Sequence, residues 1–256
     1  MRIDSILLPE DLKRYNLHGK TAVLIDVLRS SSCIVTALQN GCAKIVPSLN
    51  GKESFRLARH YPPESTILGG ESGGYRIEGF SLGNSPLEYT TEVVKDKTII
   101  FTSSNGIAAL FALKGCKLIL IASFLNLESV KDTALRLMGE SDELLLVCAG
   151  NLGKISLEDA LCAGMISRRI SGESSMKPEK SAATLSTESL ATIYQEKLPD
   201  VLVNCAWGRD LQRMGIGIAE LHYCARLDSI PLVPYVTSEF TIKELRIVAR
   251  VDSPAN

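Results

Sequence analysis

Short apolar runs rich in Val, Ile and Leu alternate along the chain with segments that have helical periodicity. Because the apolar runs are continuous, they predict strands that are buried on both faces, as in a largely parallel sheet between two helix layers. The candidate strands are Thr21–Asp26, Lys44–Pro47, Thr66–Leu68, Thr98–Thr102, Leu118–Ala122, Leu144–Cys148 and Val201–Cys205. The candidate helices are Ser32–Gln39, Lys52–Arg59, Pro86–Val93, Gly106–Leu113, Leu127–Met138 and Leu157–Arg169. We therefore predict a three-layer α/β/α fold with a largely parallel or mixed sheet built from repeated βα units.

The pattern is weaker in the C-terminal part of the chain. Gly217–Leu227 has helical spacing, while Leu232–Thr237 and Thr241–Val251 predict strands at an antiparallel or mixed edge of the sheet. The Ser- and Thr-rich stretch Ser171–Ser189 is the best candidate for a linker or mobile loop.

At 256 residues the chain is long for one compact domain and short for two independent ones. We therefore predict an α/β lobe over residues 1–170 that carries most of the site loops. A less regular C-terminal α/β lobe over residues 190–256 packs on it, and one continuous domain is the alternative.

One unit of strand, polar junction, helix, Gly-Cys and strand occurs twice. The first copy runs from Val23 to Cys42 and the second from Ile99 to Cys116, so that Arg29 aligns with Asn105. The regular alternation of strands and helices could produce this pattern without duplication of a sequence segment. In either case, two similar polar junctions are expected at equivalent strand ends.

The composition excludes several classes of protein. The chain has 28 Lys and Arg and 29 Asp and Glu residues, so its formal net charge of −1 gives no general attraction for nucleic acid or an anionic membrane. No apolar run approaches a membrane span, and the short apolar N-terminal stretch does not fit a signal peptide. Seven cysteines without a C-x-x-C pair indicate buried thiols in a reducing compartment. We expect a cytoplasmic protein without nucleic-acid or membrane partners, and a homo-oligomer stays open.

The junction Asp26–Ser32 is the strongest candidate for chemistry. It places a carboxylate at the end of a buried strand, the Arg29 guanidinium three residues later, and three hydroxyls at the start of a helix. A helix N-terminus attracts anions, and an acid beside an Arg suits phosphoryl chemistry. The alternative is an N-capped helix with an Asp–Arg pair on the surface.

A second candidate is the Gly-rich segment from Gly69 to Pro86, whose six glycines allow the backbone to approach a ligand closely. Its alternative is a surface Ω-loop. Ser85 and Glu88 fit a capping box, which gives both a structural reason and favours Glu71 and Asn84 as functional residues.

Two further junctions follow strands. Thr102–Gly106 repeats the order of strand, hydroxyl side chains and helix, although all its side chains could be helix caps. Ala149–Gly153 leads to Ser156–Asp159, where a capping box is at least as good an interpretation as a metal role. The histidines are scattered and the cysteines lack zinc spacing, so a bound metal must be a hard ion. The carboxylates that suit Mg²⁺ are Asp26, Glu71, Glu158 and Asp159.

Several motifs occur in a fixed order along the chain. They are Val23–Arg29 (V-L-I-D-V-L-R), Gly69–Glu71, Gly79–Glu88 (G-F-S-L-G-N-S-P-L-E), Ser104–Gly106, Ser123–Asn126, Cys148–Gly150 and Ser156–Asp159. Together they resemble the 2-phosphosulfolactate phosphatases, the Mg²⁺-dependent enzymes of coenzyme M biosynthesis. The resemblance spans nearly the whole chain and is densest over residues 20–165.

The resemblance implies hydrolysis of 2-phospho-3-sulfolactate to sulfolactate and phosphate on an α/β/α fold, with Mg²⁺ as cofactor and a small anionic phospho-acid as partner. By position, it implies the catalytic residues Asp26, Arg29 and Glu71, with Asp26 as metal ligand or, as the less favoured alternative, as phosphoryl acceptor. It implies the substrate-binding residues Asn84, Ser85, Ser104, Asn105, Gly106 and Asn126. It implies the metal ligands Asp26, Glu71, Glu158 and Asp159.

Four positions depart from the family pattern. An Arg usually follows the Glu where this chain has Ser72, and an Asp usually stands at Ser81. The family's T-T-N-G-T is here Ser103–Ile107, and its S-x-H-G is Cys205–Gly208, with Trp207 at the His position. Loss of an Arg and a His near an anion site could redirect or weaken the activity.

Three hypotheses follow. The leading one is a Mg²⁺-dependent phosphatase, in which Arg76 and Arg209 are candidate replacements for the missing cations. The second is a non-catalytic protein that binds a phosphorylated or sulfonated acid. The third and least favoured is a serine hydrolase, because Gly70–Gly74 matches G-x-S-x-G with Ser72 as nucleophile, although no helical pattern follows directly.

Overall fold

The continuous apolar runs form the central strands of one mixed sheet in the computed structural model, which describes residues 1–139, 141–173 and 177–245. The strands are β1 (Arg2–Ile6), β2 (Thr21–Ile25), β3 (Lys44–Pro47), β4 (Thr66–Ser72), β5 (Tyr75–Arg76), β6 (Thr98–Thr102), β7 (Leu118–Ala122), β8 (Glu143–Cys148), β9 (Glu179–Lys180), β10 (Pro234–Val236) and β11 (Ile242–Glu244). Their order in the sheet is β5-β4-β6-β3-β11-β10-β7-β2-β8-β1-β9.

Helices cover both faces of this sheet. They are α1 (Ser30–Gln39), α2 (Gly51–Ala58), α3 (Thr91–Val94), α4 (Gly106–Ala112), α5 (Leu127–Leu137), α6 (Leu157–Glu173), α7 (Ala182–Tyr194), α8 (Leu198–Asn204), α9 (Ala206–Arg213) and α10 (Ile218–Cys224). Within β2, Ala22 and Leu24 enter the core shared with α1 and α4. Val23 and Ile25 enter the opposite core, shared with α5, α6 and α10. The predicted three-layer α/β fold is confirmed. Among the described residues, no helix combines the length and apolarity needed to span a membrane.

The two repeated units connect different halves of the sheet. Strands β4, β6 and β3 are mutually parallel, as are β7, β2, β8 and β1. The first unit, β2-α1-β3, therefore leads from the second half to the first, and the second unit, β6-α4-β7, leads back. The antiparallel hairpin β10-β11 joins the halves through one residue pair on each side, Tyr235 with Leu120 and Ile242 with Ile45.

Several predicted elements were wrong in type or place. The run Val201–Cys205 belongs to helix α8, because Leu198, Val201 and Leu202 recur at helical spacing on its buried face. The C-terminal hairpin lies at the centre of the sheet and not at an edge. The predicted helix Pro86–Val93 is a 3-10 turn at Pro86–Glu88 followed by the short α3.

The predicted linker also differs from the structure. Its described parts contribute the end of α6, strand β9 and the first half of α7, and residues 174–176 lie outside the described residues. The part of the predicted strand Thr241–Val251 beyond residue 245 also lies outside them. From residue 182 onward, α7, α8 and α10 pack in the same core as β2.

We predict that close backbone contact between α6 and α7 makes Gly164 sensitive to substitution. A Cβ on Gly164 would lie 2.0 Å from the carbonyl oxygen of Thr187. Gly164→Ala should therefore lower the free energy of unfolding by about 1–3 kcal/mol, measured by chemical denaturation. Gly172→Ala on the same helix is the matched control, because its Cβ meets open space. It should be neutral or stabilising by up to about 1 kcal/mol, and equal losses in both variants would contradict the prediction.

Candidate active site

Most predicted site residues line one cleft beside the two repeated junctions. Its lining consists of Asp26, Leu28, Arg29, Ser30, Glu71, Gly73, Gly74, Asn84, Ser104, Asn105, Asn151, Leu152, Trp207 and Met214. The cleft thus collects loops that follow β2, β4, β6 and β8, together with helix α9. The strand-end loops come together as the sequence predicted, at the carboxyl ends where α/β sheets bind ligands.

Asp26 caps helix α1 and also lines the cleft. Its Oδ1 accepts the backbone N–H of Ser30 at 3.3 Å, and its own N–H donates to the Ser31 hydroxyl at 3.0 Å. The carboxylate is 6% exposed. Burial, and then the nearby carboxylates of Glu71 and Glu158, raise its pKa to about 6 against the opposing effect of the Ser30 hydrogen bonds. The Asp26 carboxylate thus accepts the first N–H of α1, although Arg29 is the N-cap residue, and it also lines the cleft.

The second junction lies directly against the first. A Cβ on Gly106 would lie 2.4 Å from Asp26 Oδ2 and 2.9 Å from the Ser30 Cβ. Glycine, which has no Cβ, leaves room there for the carboxylate, so Gly106 is needed at this position of the site. The cap of α4 is Ser103, whose hydroxyl oxygen accepts the Ile107 N–H at 3.1 Å.

Arg29 is a buried cation with an unused donor. Its Nη1 donates to Glu220 Oε1 at 2.7 Å and its Nη2 donates to the carbonyl oxygen of Gly74 at 3.1 Å. Its Nε has no hydrogen-bond partner among the described residues, although the side chain is only 3% exposed. The expected surface pair with Asp26 is wrong, because Glu220 is the partner. A buried donor without a partner is costly, and a ligand oxygen in the cleft would satisfy it.

Glu71 fixes the Gly-rich turn to the second junction. Its Oε2 accepts the Gly74 N–H at 2.6 Å and its Oε1 accepts the Ser104 N–H at 2.6 Å. The Ser104 hydroxyl donates to Oε2 at 3.1 Å and accepts the Gly73 N–H at 2.9 Å. Glu71 is buried, and its carboxylate lies close enough to Asp26 to raise the pKa of that group.

Three asparagines line the cleft, Asn84, Asn105 and Asn151. Asn84 is buried and its Oδ1 has no partner among the described residues, so the carbonyl oxygen is available to a cation or a donor. Asn105 is engaged with the loop after β8: its Nδ2 donates to Asn151 Oδ1 at 3.3 Å, and its Oδ1 accepts the Leu152 N–H at 3.3 Å. Asn84 therefore offers the freer side chain for a ligand.

The other two predicted metal ligands lie outside the cleft lining. Asp159 accepts the Val27 N–H at 2.8 Å and the Gly150 N–H at 3.2 Å, and burial raises its pKa well above the usual range. Burial also raises the pKa of Glu158, which lies beside Ser156. The residues that the structure describes contain no group of three or more His, Cys, Asp or Glu side chains arranged as a metal site.

Three predicted substrate residues are absent from the cleft lining, namely Ser85, Gly106 and Asn126. Asn126 forms a reciprocal capping box with Ser123, and its Nδ2 donates to the carbonyl oxygens of Ile121 and Leu232 at 3.2 and 3.1 Å. We therefore assign Asn126 to the fold. Ser85 is buried but is not part of the cleft lining.

The predicted capping boxes are only partly present. The box at Ser85 is wrong, because Glu88 accepts the Gly83 N–H and the Ser85 side chain makes no cap. The box at Ser156 is half formed: the Ser156 hydroxyl accepts the Asp159 N–H, while the Asp159 carboxylate turns to other donors.

The serine-hydrolase alternative does not fit the structure. Ser72 is exposed in the β4-β5 hairpin, where it pairs with Tyr75, and so it is not at a strand-to-helix elbow. Arg76 and Arg209 are also exposed and do not line the cleft.

Three lining or supporting residues come from the C-terminal helices. Trp207 and Met214 line the cleft, and Glu220 on α10 holds Arg29. Sequence reasoning noted Trp207 only as a departure at a position facing the junction. Glu220 had no local signal, because its partner lies 191 residues away.

Comparison with known proteins places these residues in context. The family model described as 2-phosphosulpholactate phosphatase matches residues 6–239. Three similar proteins carry the name probable 2-phosphosulfolactate phosphatase. The protein of Clostridium acetobutylicum is 35% identical over 240 residues, which cover 93% of this chain and 98% of that protein. The protein of Symbiobacterium thermophilum is 37% identical over 225 residues, covering 86% and 93%. That of Clostridium botulinum strain Eklund 17B is 35% identical over 246 residues, covering 95% and 100%.

We predict that the Asp26 charge destabilises the metal-free fold. Since the folded pKa of about 6 exceeds the ordinary value of 3.8, the contribution of Asp26 to stability falls as the pH rises from about 4 to 6 and is constant above that. In chelator at pH 8, Asp26→Asn should be more stable than wild type by about 1–3 kcal/mol, and the gain should vanish near pH 4. Urea unfolding at several pH values measures this. The exposed Asp210→Asn is the control, and an equal gain there would contradict the prediction.

We also predict strong coupling between Arg29 and Glu220. Glu220→Leu leaves a buried guanidinium without its carboxylate, which should cost about 3–5 kcal/mol of unfolding free energy. In the double variant with Arg29→Met the loss should be smaller than the sum of the single losses by at least about 1 kcal/mol. The exposed pair Arg213–Asp210 supplies a matched cycle with coupling below about 1 kcal/mol. Additive effects at Arg29 and Glu220 would refute the coupling.

Proposed function

The chain belongs to the 2-phosphosulpholactate phosphatase family, and we propose that it hydrolyses the phosphate ester of 2-phospho-3-sulfolactate or a similar small phospho-acid, with Mg²⁺ as cofactor. One observation carries the proposal. Three buried polar side chains line the same cleft, the carboxylate of Asp26, the guanidinium of Arg29 and the amide of Asn84. Within the described residues, Arg29 Nε and Asn84 Oδ1 have no hydrogen-bond partner. These are groups that phosphoryl transfer needs for positioning and charge stabilisation.

The donor set of the cleft fits a hard divalent cation. Asp26 and Glu71 supply carboxylate oxygens, and Asn84 supplies the unpartnered carbonyl oxygen. Magnesium is commonly bound through one or two carboxylates, with water and phosphate oxygens completing its shell. Burial raises the pKa of Asp26, and the carboxylates of Glu71 and Glu158 raise it further; a bound cation would favour the charged form. When bound, Mg²⁺ supplies charge neutralisation for the phosphoryl oxygens.

The remaining roles follow from the contacts of each side chain. The Arg29 Nε–H is free to donate to a phosphoryl oxygen, while Glu220 and the Gly74 carbonyl oxygen hold the guanidinium in place. Ser30 and Ser104 add hydroxyls to the cleft lining. Asp159 acts indirectly, because its bonds to the Val27 and Gly150 N–H groups join the loops after β2 and β8.

We predict that Arg29→Ala and Asp26→Asn lose phosphate release while remaining folded. Loss of one group that stabilises transition-state charge costs about 10²–10³ in rate. Inorganic phosphate is measured with a panel of phospho-acids in Mg²⁺ and in chelator, and circular dichroism checks the fold. The exposed Arg209→Ala is the control and should keep kcat/KM within about threefold of wild type.

Three outcomes would contradict the proposal in different ways. Wild-type rates in Arg29→Ala or Asp26→Asn would remove these residues from the reaction. Full activity in chelator would remove the metal. Binding of the phospho-acids without turnover of any would favour the non-catalytic binding protein.

A further inference from the structure

Part of the cleft wall has no use in the phosphoryl chemistry proposed above. It is apolar and consists of Leu28, Leu152, Trp207 and Met214. Trp207 lies on helix α9 and Met214 directly follows that helix, whereas the polar lining comes from strand-end loops. A substrate held by its phosphate at Arg29 therefore meets this apolar wall with the rest of its structure.

The Trp207 indole is held in one position. Its Nε1–H donates to the carbonyl oxygen of Leu28 at 3.0 Å. A Cβ on Gly74, whose φ is +90°, would lie 3.3 Å from Trp207 Cη2 and 2.8 Å from Met214 Sδ. The Gly-rich turn thus packs against both side chains. Since Gly74 also accepts a hydrogen bond from Arg29, the apolar wall directly adjoins the anion site.

The helix that carries Trp207 is itself tightly packed. A Cβ on Gly208 would lie 1.8 Å from the carbonyl oxygen of Leu202, so α8 and α9 meet through backbone contact. The Gly208 N–H donates to Sγ of Cys205, which is the N-cap residue of α9. The backbone that carries Trp207 is therefore fixed against α8.

The charges of the cleft limit what can bind at this wall. Within residues 1–139, 141–173 and 177–245, Arg29 is the cationic side chain of the lining, and Glu220 already compensates its charge at 2.7 Å. Asp26 and Glu71 add negative charge to the same lining. A further anionic group placed against an indole and a thioether would be buried without a partner, which is costly.

On the basis of the proposed phosphatase function, we propose that Trp207 and Met214 form the specificity-determining surface of the cleft and receive an uncharged, apolar group of the substrate. The substrate class is then the phosphate monoesters of small hydroxy acids whose remaining carbon substituent is uncharged. Aromatic and aliphatic groups gain by contact with an indole face, whereas a sulfonate finds no cation there.

Three esters that differ in one substituent test this assignment. They are 2-phospholactate, 2-phospho-3-phenyllactate and 2-phospho-3-sulfolactate, which share the phosphate and carboxylate and carry hydrogen, phenyl or sulfonate on C3. For the wild type in Mg²⁺, kcat/KM for at least one uncharged ester should exceed that for the sulfonated ester by about tenfold or more. Trp207→Lys should shift this ratio toward the sulfonated ester by about tenfold or more.

Two further variants separate specificity from structure. Trp207→Phe keeps an aromatic face and loses the bond to Leu28, so it should lower kcat for all three esters and preserve their ratio. Met214→Lys places the cation at the second position of the wall and should shift the ratio as Trp207→Lys does, even if that variant fails to fold. A wild-type preference for the sulfonated ester, or an unchanged ratio in a folded lysine variant, would overturn the assignment. Hydrolysis of none of the three esters by the wild type would overturn the phosphatase proposal itself.

Discussion

The contact of Gly106 with the Asp26 carboxylate is the constraint on which the rest of the site depends. Each of these residues follows the first strand of a repeated unit, and the two units lead in opposite directions between the halves of the sheet. A Cβ at position 106 would lie 2.4 Å from Asp26 Oδ2. With glycine there, the starts of α1 and α4 meet, and the hydroxyl-rich loops after β2 and β6 face one cleft. The Glu71 bonds to Ser104 and Gly74 then add the loop after β4 to the same place.

This convergence concentrates acids where water has little access. Asp26, Glu71, Glu158 and Asp159 are all buried, and the pKa of Asp26 is raised to about 6 by burial and by its acidic neighbours. The fold therefore buries acidic groups whose charge no ion pair among the described residues offsets. Arg29 does not offset this charge, because its guanidinium is committed to Glu220 and the Gly74 carbonyl oxygen. Buried acids of this kind lower the stability of the fold and produce a strong electrostatic field in the cleft, which is typical of active sites.

The sequence predicted the parts of the molecule that local pattern determines. Strands β3, β6 and β7 agree with the predicted bounds at both ends, and Asp26, Arg29, Glu71 and Asn84 line one cleft. Where local pattern is ambiguous, prediction was wrong. The apolar run at Val201–Cys205 suits a strand or a helix equally in composition, and packing against neighbouring helices decided for the helix.

Other features had no local signal at all. The partner of Arg29 is Glu220, and the Trp207 N–H bonds to Leu28, so both contacts join segments about 180 to 190 residues apart. The central position of the β10-β11 hairpin likewise depends on which strands leave a gap between β3 and β7. A pattern read within a window of ten to twenty residues cannot contain such information.

The residues of the cleft thus fall into two groups, those that local pattern predicts and those that long-range contacts place. The carboxylates, hydroxyls and guanidinium come from strand-end loops whose positions the repeated units determine. Two residues of the apolar wall lie outside both units: Trp207 is on α9, which packs on α8, and Met214 directly follows α9. The Gly74 turn touches both parts, since it accepts the Arg29 hydrogen bond and packs against Trp207 and Met214. If the proposed function is correct, substitutions on α9 change which substituent is accepted while the charged groups of the cleft stay in place. A change at Gly74 would disturb both at once, because any side chain there must displace the indole or the thioether.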